Sequence, residues 1–146
     1  GNSFVYWWLN LSKYLPSFTW NLAFKKSMVS KTLTKREYKA IKAPFLNIKY
    51  QAGICAFPQL ITIFPEHPEV ELNKAVWEKL QQFTKPFLNV YGNRDPVTRG
   101  ISKHHQKHIP GCKGLTHITL GGIGHFSPEE APEELVTHII DFLNKD

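Results

Sequence analysis

The chain has 146 residues, 42% of them apolar and 13% aromatic, and carries a formal net charge of +6. This is the composition of a globular chain with enough apolar mass for a core, and it excludes a disordered or low-complexity one. The longest apolar stretch, from Phe4 to Leu11 with Tyr6 and Asn10 inside it, falls far short of the ~20 residues that a membrane-spanning helix needs, so no membrane partner is expected.

Residues 1–80 are rich in aromatics and helical patches, and residues 81–146 read as strand, helix, strand, helix, with the change of texture near Lys85-Pro86. In the first region, Thr34-Lys35-Arg36-Glu37 is a capping-box pattern that opens a short helix. That helix must end before Ala43-Pro44, because proline disfavours helical geometry in its predecessor. A second helix is expected over Leu72 to Phe83, with Leu72, Val76, Leu80 and Phe83 on one face. In the second region, Pro86 to Tyr91 is a mostly apolar run ending at Gly92, as suits a buried parallel strand. Residues 100–109 predict a helix stopped by Pro110-Gly111, and His117-Ile118-Thr119-Leu120 is the next β-branched run. Ser127-Pro128-Glu129-Glu130 has the spacing of a capping box with a proline at the first helical position. The final helix would place Leu135, Ile139, Ile140, Phe142 and Leu143 against the sheet. Two parallel strands are marginal alone, so the rest of the sheet is expected to come from other sequence.

The basic residues, among them Lys25-Lys26 and Lys35-Arg36, are not interleaved with aromatics as single-strand binding requires, so no nucleic-acid partner is expected. No secretory leader opens the chain, which starts at Gly1, and a missing N-terminal portion is the expectation. Cys55 and Cys112 lack metal-type spacing and point to a reduced, cytoplasmic protein. His104, His105 and His108 share a helical stretch, but no carboxylate or cysteine is placed to complete a metal site, so they read as solvated surface. Trp20 and Trp77 read as packing residues.

Two residues carry the chemistry. Asp95 follows the first strand in Gly92-Asn93-Arg94-Asp95-Pro96, and His125 follows the second in Gly121-Gly122-Ile123-Gly124-His125-Phe126. In a parallel α/β sheet, both would emerge at the carboxyl edge, where ligands and catalytic groups gather. A carboxylate there can fix the imidazole tautomer and stabilise the imidazolium, leaving the other ring nitrogen to take a proton. The alternative is that Asp95 caps a turn and His125 is a loop histidine. Acid before histidine, with the nucleophile upstream, is the α/β-hydrolase order.

Several segments together resemble the haloalkane dehalogenases, enzymes of α/β-hydrolase fold. They are Ala43-Pro44-Phe45, Tyr50-Gln51-Ala52-Gly53, Ala56-Phe57-Pro58, Lys85-Pro86-Phe87-Leu88, Asp95-Pro96-Val97-Thr98-Arg99-Gly100, Ile109-Pro110-Gly111 and Gly124-His125-Phe126. The resemblance implies the C-terminal portion of an α/β-hydrolase: a mostly helical cap over residues 1–80, then the last two parallel strands and their helices over residues 81–146. It implies hydrolysis of a haloalkane through an aspartyl ester, Asp95 and His125 acting as acid and base, with no cofactor or metal. The nucleophile matches no position here, so the N-terminal remainder of the hydrolase core is an expected partner, with a small apolar substrate and a halide ion. A cap tryptophan donates its indole N–H to the leaving halide in such enzymes, and Phe4-Val5-Tyr6-Trp7-Trp8 resembles that place, with Trp7 favoured over Trp8 and Phe4 beside them. The indole N–H is a donor without acceptor character on an apolar body, which suits a developing anion in a dry pocket.

Ser127-Pro128-Glu129-Glu130 and Leu46 depart from the family pattern, which leaves subfamily and substrate open. An epoxide hydrolase is the nearest enzymatic alternative, with Tyr6, Tyr14 and Tyr38 available as acids although their contexts do not match. An inactive chain serving only as a binding or structural partner is an alternative of another class.

Overall fold

The structure is a computed structural model that describes residues 3–14, 24–62, 64–98 and 100–144, with residues 3–5 described in their backbone alone. Trp20, Arg99 and the side chain of Phe4 lie outside the described residues. The chain divides into two compact units: residues 1–26 with 32–67, and residues 27–31 with 68–146.

The first unit is helical: α1 (Ser3–Tyr14), α2 (Lys35–Lys42), a 3-10 turn (Ile48–Gln51) and α3 (Ala52–Gln59). The expected capping box is present at α2. Thr34 accepts from the Glu37 N–H, and the Glu37 carboxylate accepts in return from the Thr34 N–H at 2.8 Å, so two donors that a helix start leaves orphaned are satisfied. Ala43 ends the helix ahead of Pro44. Helix α1 packs on α3, where the Gln59 side-chain amide donates to the Leu9 carbonyl at 2.9 Å and to the Ser12 hydroxyl at 3.3 Å. Leu9, Ser12, Phe24, Gln51 and Pro58 are buried in this unit, and Tyr6 meets Phe64 edge to face at 5.7 Å.

The second unit contains α4 (Val70–Leu80), β1 (Val90–Gly92), α5 (Ile101–His108), β2 (Ile118–Leu120), α6 (Ser127–Glu130) and α7 (Pro132–Leu143). The strands pair in parallel, Val90 with Ile118, Tyr91 with Thr119 and Gly92 with Leu120. Both are shorter than the apolar runs, because a ladder extends only where a partner strand receives it, and β2 is the only partner of β1 among the described residues. Met28, Ile109, Cys112, Leu120 and Ile123 are buried, as is Asn89. Asn89 accepts from His105 Nδ1 at 3.0 Å and donates to Cys112 Sγ at 3.3 Å, so a polar side chain inside the unit is satisfied.

Four sequence expectations are corrected here. Helix α4 turns Val70, Trp77 and Leu80 inward, whereas Leu72 and Val76 are exposed, so the buried face is rotated from the expected stripe. Rotation follows from the Trp77 ring, which stacks on His104 at 4.8 Å and draws that side of the helix onto α5. The C-terminal helix is broken in two at Ala131 (φ −145°, ψ 57°), since Pro132 excludes its predecessor from helical geometry. On α7 itself, Leu135 and Phe142 are half-buried, but Ile139, Ile140 and Leu143 are 43%, 51% and 71% exposed, because two strands are too narrow to cover that stripe. Finally, Ser127 does not cap α6, and Glu130 makes other contacts, described below. Among the described residues no helix is long and apolar enough to cross a membrane.

Candidate active site

Parallel pairing puts the carboxyl ends of β1 and β2 side by side, so the loops after Gly92 and Leu120 leave one edge of the sheet. Backbone hydrogen bonds join those loops. The Asn93 N–H donates to the Leu120 carbonyl and the Arg94 N–H to the Ile123 carbonyl, both at 3.0 Å, while the Asn93 side-chain oxygen accepts from the Gly122 N–H at 2.8 Å. The approach is close enough that a Cβ on Gly92 would lie 2.3 Å from the Ile123 carbonyl oxygen, so no residue but glycine fits there.

Within this frame His125 Nδ1 lies 3.0 Å from Asp95 Oδ2. The two oxygens of Asp95 divide their work. Oδ1 accepts from the Val97 N–H at 2.7 Å and the Thr98 N–H at 3.2 Å, as in a turn cap. Oδ2 takes the His125 ring nitrogen together with the Thr98 hydroxyl. Asp95 therefore makes both kinds of contact, the turn cap through Oδ1 and the histidine contact through Oδ2. Asp95 is 5% exposed. Burial pushes its carboxyl up, but the Thr98 hydroxyl, His125 and the two backbone donors together outweigh this and hold it below the ordinary carboxylate range. Asp95 is thus an anion that can accept from Nδ1–H, which leaves Nε2 as the nitrogen able to take a proton. Burial, with Asp95 second, pushes the Tyr91 hydroxyl up and keeps it neutral.

The backbone of His125 is held as well, its N–H donating to the Ser27 carbonyl at 2.8 Å. Glu130, in place of closing a capping box, directs its carboxylate at Gly124, Val29 and Ser30. Four donors gather on that carboxylate, more than the single N-cap amide of a capping box could offer, and they decide its direction.

No family model matches the chain. It is 35% identical over 137 residues to a haloalkane dehalogenase of Psychrobacter cryohalolentis, a match covering 94% of this chain and 45% of that protein. It is 42% identical over 100 residues to a haloalkane dehalogenase of Mycobacterium marinum, covering 68% of this chain and 33% of that protein. The chain belongs to the haloalkane dehalogenases of the α/β-hydrolase family, matching their C-terminal portion. It spans less than half the length of these curated relatives, 45% and 33%. A more distant match, 33% identical over 84 residues, is to the uncharacterized hydrolase YugF of Bacillus subtilis.

Of the site residues expected for a dehalogenase, Asp95 and His125 are brought together in the second unit. Trp7 and Trp8 stand on α1 of the first unit, Trp7 39% exposed and Trp8 half-buried. Successive helical residues diverge by roughly 100°, so the two indoles cannot serve one point together. Among the described residues no group of three or more His, Cys, Asp or Glu is arranged to hold a metal ion. The three histidines of α5 are not mere solvated surface as expected. His104, His105 and His108 surround Trp77 at 4.8, 6.3 and 6.0 Å, and His105 is half-buried by its bond to Asn89. Sequence reading also missed Asn93, Thr98, Ser27 and Glu130 as supports of the dyad. The Asp-x-x-Thr spacing could have found Thr98, whereas nothing local marks the contacts of residues 27–30 with residues 124–130.

Proposed function

We propose that this chain supplies the acid and base of a hydrolytic haloalkane dehalogenase whose nucleophilic aspartate lies in sequence outside it. The first unit serves as cap and the second as the end of the core. The aspartate attacks the halogen-bearing carbon, a carbon–oxygen bond forms, and halide leaves with the bonding electron pair. Trp7, or Trp8 in its place, donates its indole N–H to that halide, and Phe4 belongs to the same substrate-binding set. His125 Nε2 then takes a proton from water, and the resulting hydroxide attacks the ester carbonyl. Collapse expels the alkoxide, which recovers the proton from the imidazolium, so that haloalkane and water become alcohol, halide and a proton. Asp95 stabilises the imidazolium while it exists.

What supports this reading is the 3.0 Å contact of His125 Nδ1 with Asp95 Oδ2, which orients the base. In the full-length enzyme, His125→Ala should release one equivalent of bromide from a bromoalkane and then stall as the ester, seen as an added alkyl mass. Multiple turnovers by that variant would overturn the assignment.

A further inference from the structure

We propose that Glu130 is a positioning residue for His125, holding the peptide group that joins the base to the Asp95 loop. The inference rests on the dehalogenase reading for its kinetic consequence and on geometry alone for its structural one. Glu130 Oε1 accepts from the Gly124 N–H at 3.0 Å, and Oε2 accepts from the Val29 N–H at 2.8 Å, the Ser30 N–H at 2.6 Å and the Ser30 hydroxyl at 2.8 Å. The Gly124 N–H and the Ile123 carbonyl are the two ends of one peptide unit. The carbonyl end accepts from the Arg94 N–H at 3.0 Å, one residue before Asp95. The N–H end is held by Glu130, one residue before His125. Rotation of this peptide would break both bonds at once and carry the imidazole away from its carboxylate.

Residues 27–30 form the other anchor. The Ser27 carbonyl accepts from the His125 N–H directly, and Val29 and Ser30 hold the Glu130 carboxylate, so the base is tied to one segment twice. A Cβ on Gly124 would lie 2.2 Å from the Ser27 carbonyl oxygen and 2.8 Å from Glu130 Oε1, so the packing there has no slack. All four partners of Glu130 are donors, which suits an ionised carboxylate and not an amide. Glutamine must turn its NH2 toward Gly124 or toward residues 29–30, placing donor against donor on one side.

The test uses the full-length enzyme with a bromoalkane. Glu130→Gln should leave the pre-steady-state bromide burst within about twofold, because halide release does not use His125, while slowing ester hydrolysis by about 10- to 100-fold, the scale of a 1 Å misplacement. Glu130→Asp, which keeps the charge, should recover part of that loss. Equal slowing of both steps, or none, would overturn the proposal. Should Glu130→Gln fail to fold, Ser30→Ala removes only one donor and should slow hydrolysis severalfold against an unchanged burst; an unchanged ratio of the two steps would overturn it. If the wild-type enzyme releases no halide, the dehalogenase reading fails by itself. The His125 Nδ1–H resonance then decides the positioning role: it is expected low-field in the wild type and shifted or broadened by Glu130→Gln, and an identical resonance in both would refute the role.

Discussion

The edge of the sheet and helix α1 place their polar aromatic and imidazole groups in different ways. At the edge, His125 is held by backbone on one side, by Asp95 on the ring and by Glu130 through the preceding peptide, so its geometry is set several times over. On α1, Trp7 and Trp8 are successive residues of one helix, Trp7 exposed and Trp8 half-buried, in a unit whose buried residues include Leu9, Ser12, Phe24, Gln51 and Pro58. Under the proposed mechanism, several independent anchors suit a base that must meet a proton within a few tenths of an ångström, whereas an indole donating to a diffuse halide would tolerate less exact placement.

Asp95→Asn breaks the firmer region most directly. The amide oxygen still caps the turn at Val97 and Thr98, but its NH2 now faces His125 and the Thr98 hydroxyl, so the base loses its acceptor and its tautomer. Steady-state dehalogenation by the full-length enzyme should fall by about 10³- to 10⁴-fold with the fold retained. A loss below tenfold would show that orientation by Asp95 is dispensable.

Next in size are the tryptophans. Trp7→Phe, which removes the indole donor and keeps an aromatic, should lower the rate of halide release by about 10²-fold, with Trp8→Phe near wild type. Stopped-flow detection of bromide distinguishes them, and the reverse order would move the role to Trp8.

Acidification tests both carboxylates of the edge together. Asp95 and Glu130 titrate lower in the folded chain than in the unfolded one, Glu130 because its hydrogen bonds to Ser30, Val29 and Gly124 outweigh the raising effect of burial. A depressed folded value means that their stabilisation is complete above the unfolded values of about 4 and drains away as pH falls through the folded ones. The urea midpoint should therefore drop on going below about pH 4, and less steeply in Asp95→Asn. Equal slopes would count against paired carboxylates.

The smallest effect belongs to the first unit. Thr34→Ala removes one half of a capping box and should cost about 1 kcal/mol of stability by urea denaturation, without altering dehalogenation.

Local patterns were legible from the residues themselves, because their partners lie within one turn or one strand. Thr34 with Glu37 is three residues apart, α5 ends at Pro110-Gly111, and the strand-loop placement of Asp95 and His125 foretold a common edge. The break at Ala131-Pro132 was equally local and was overlooked. Glu130 was misread for a physical reason: Ser127-Pro128-Glu129-Glu130 has the spacing of a cap, yet donors 100 and 101 residues away offer the carboxylate more than the helix start does. Which face of α4 turns inward was likewise settled by Trp77 meeting the histidines of α5. Residue order thus determined the elements and the chemistry they carry, since both depend on neighbours in the chain. Only tertiary contact decided which carboxylate oxygen meets which donor, because that competition is won between segments the sequence keeps far apart.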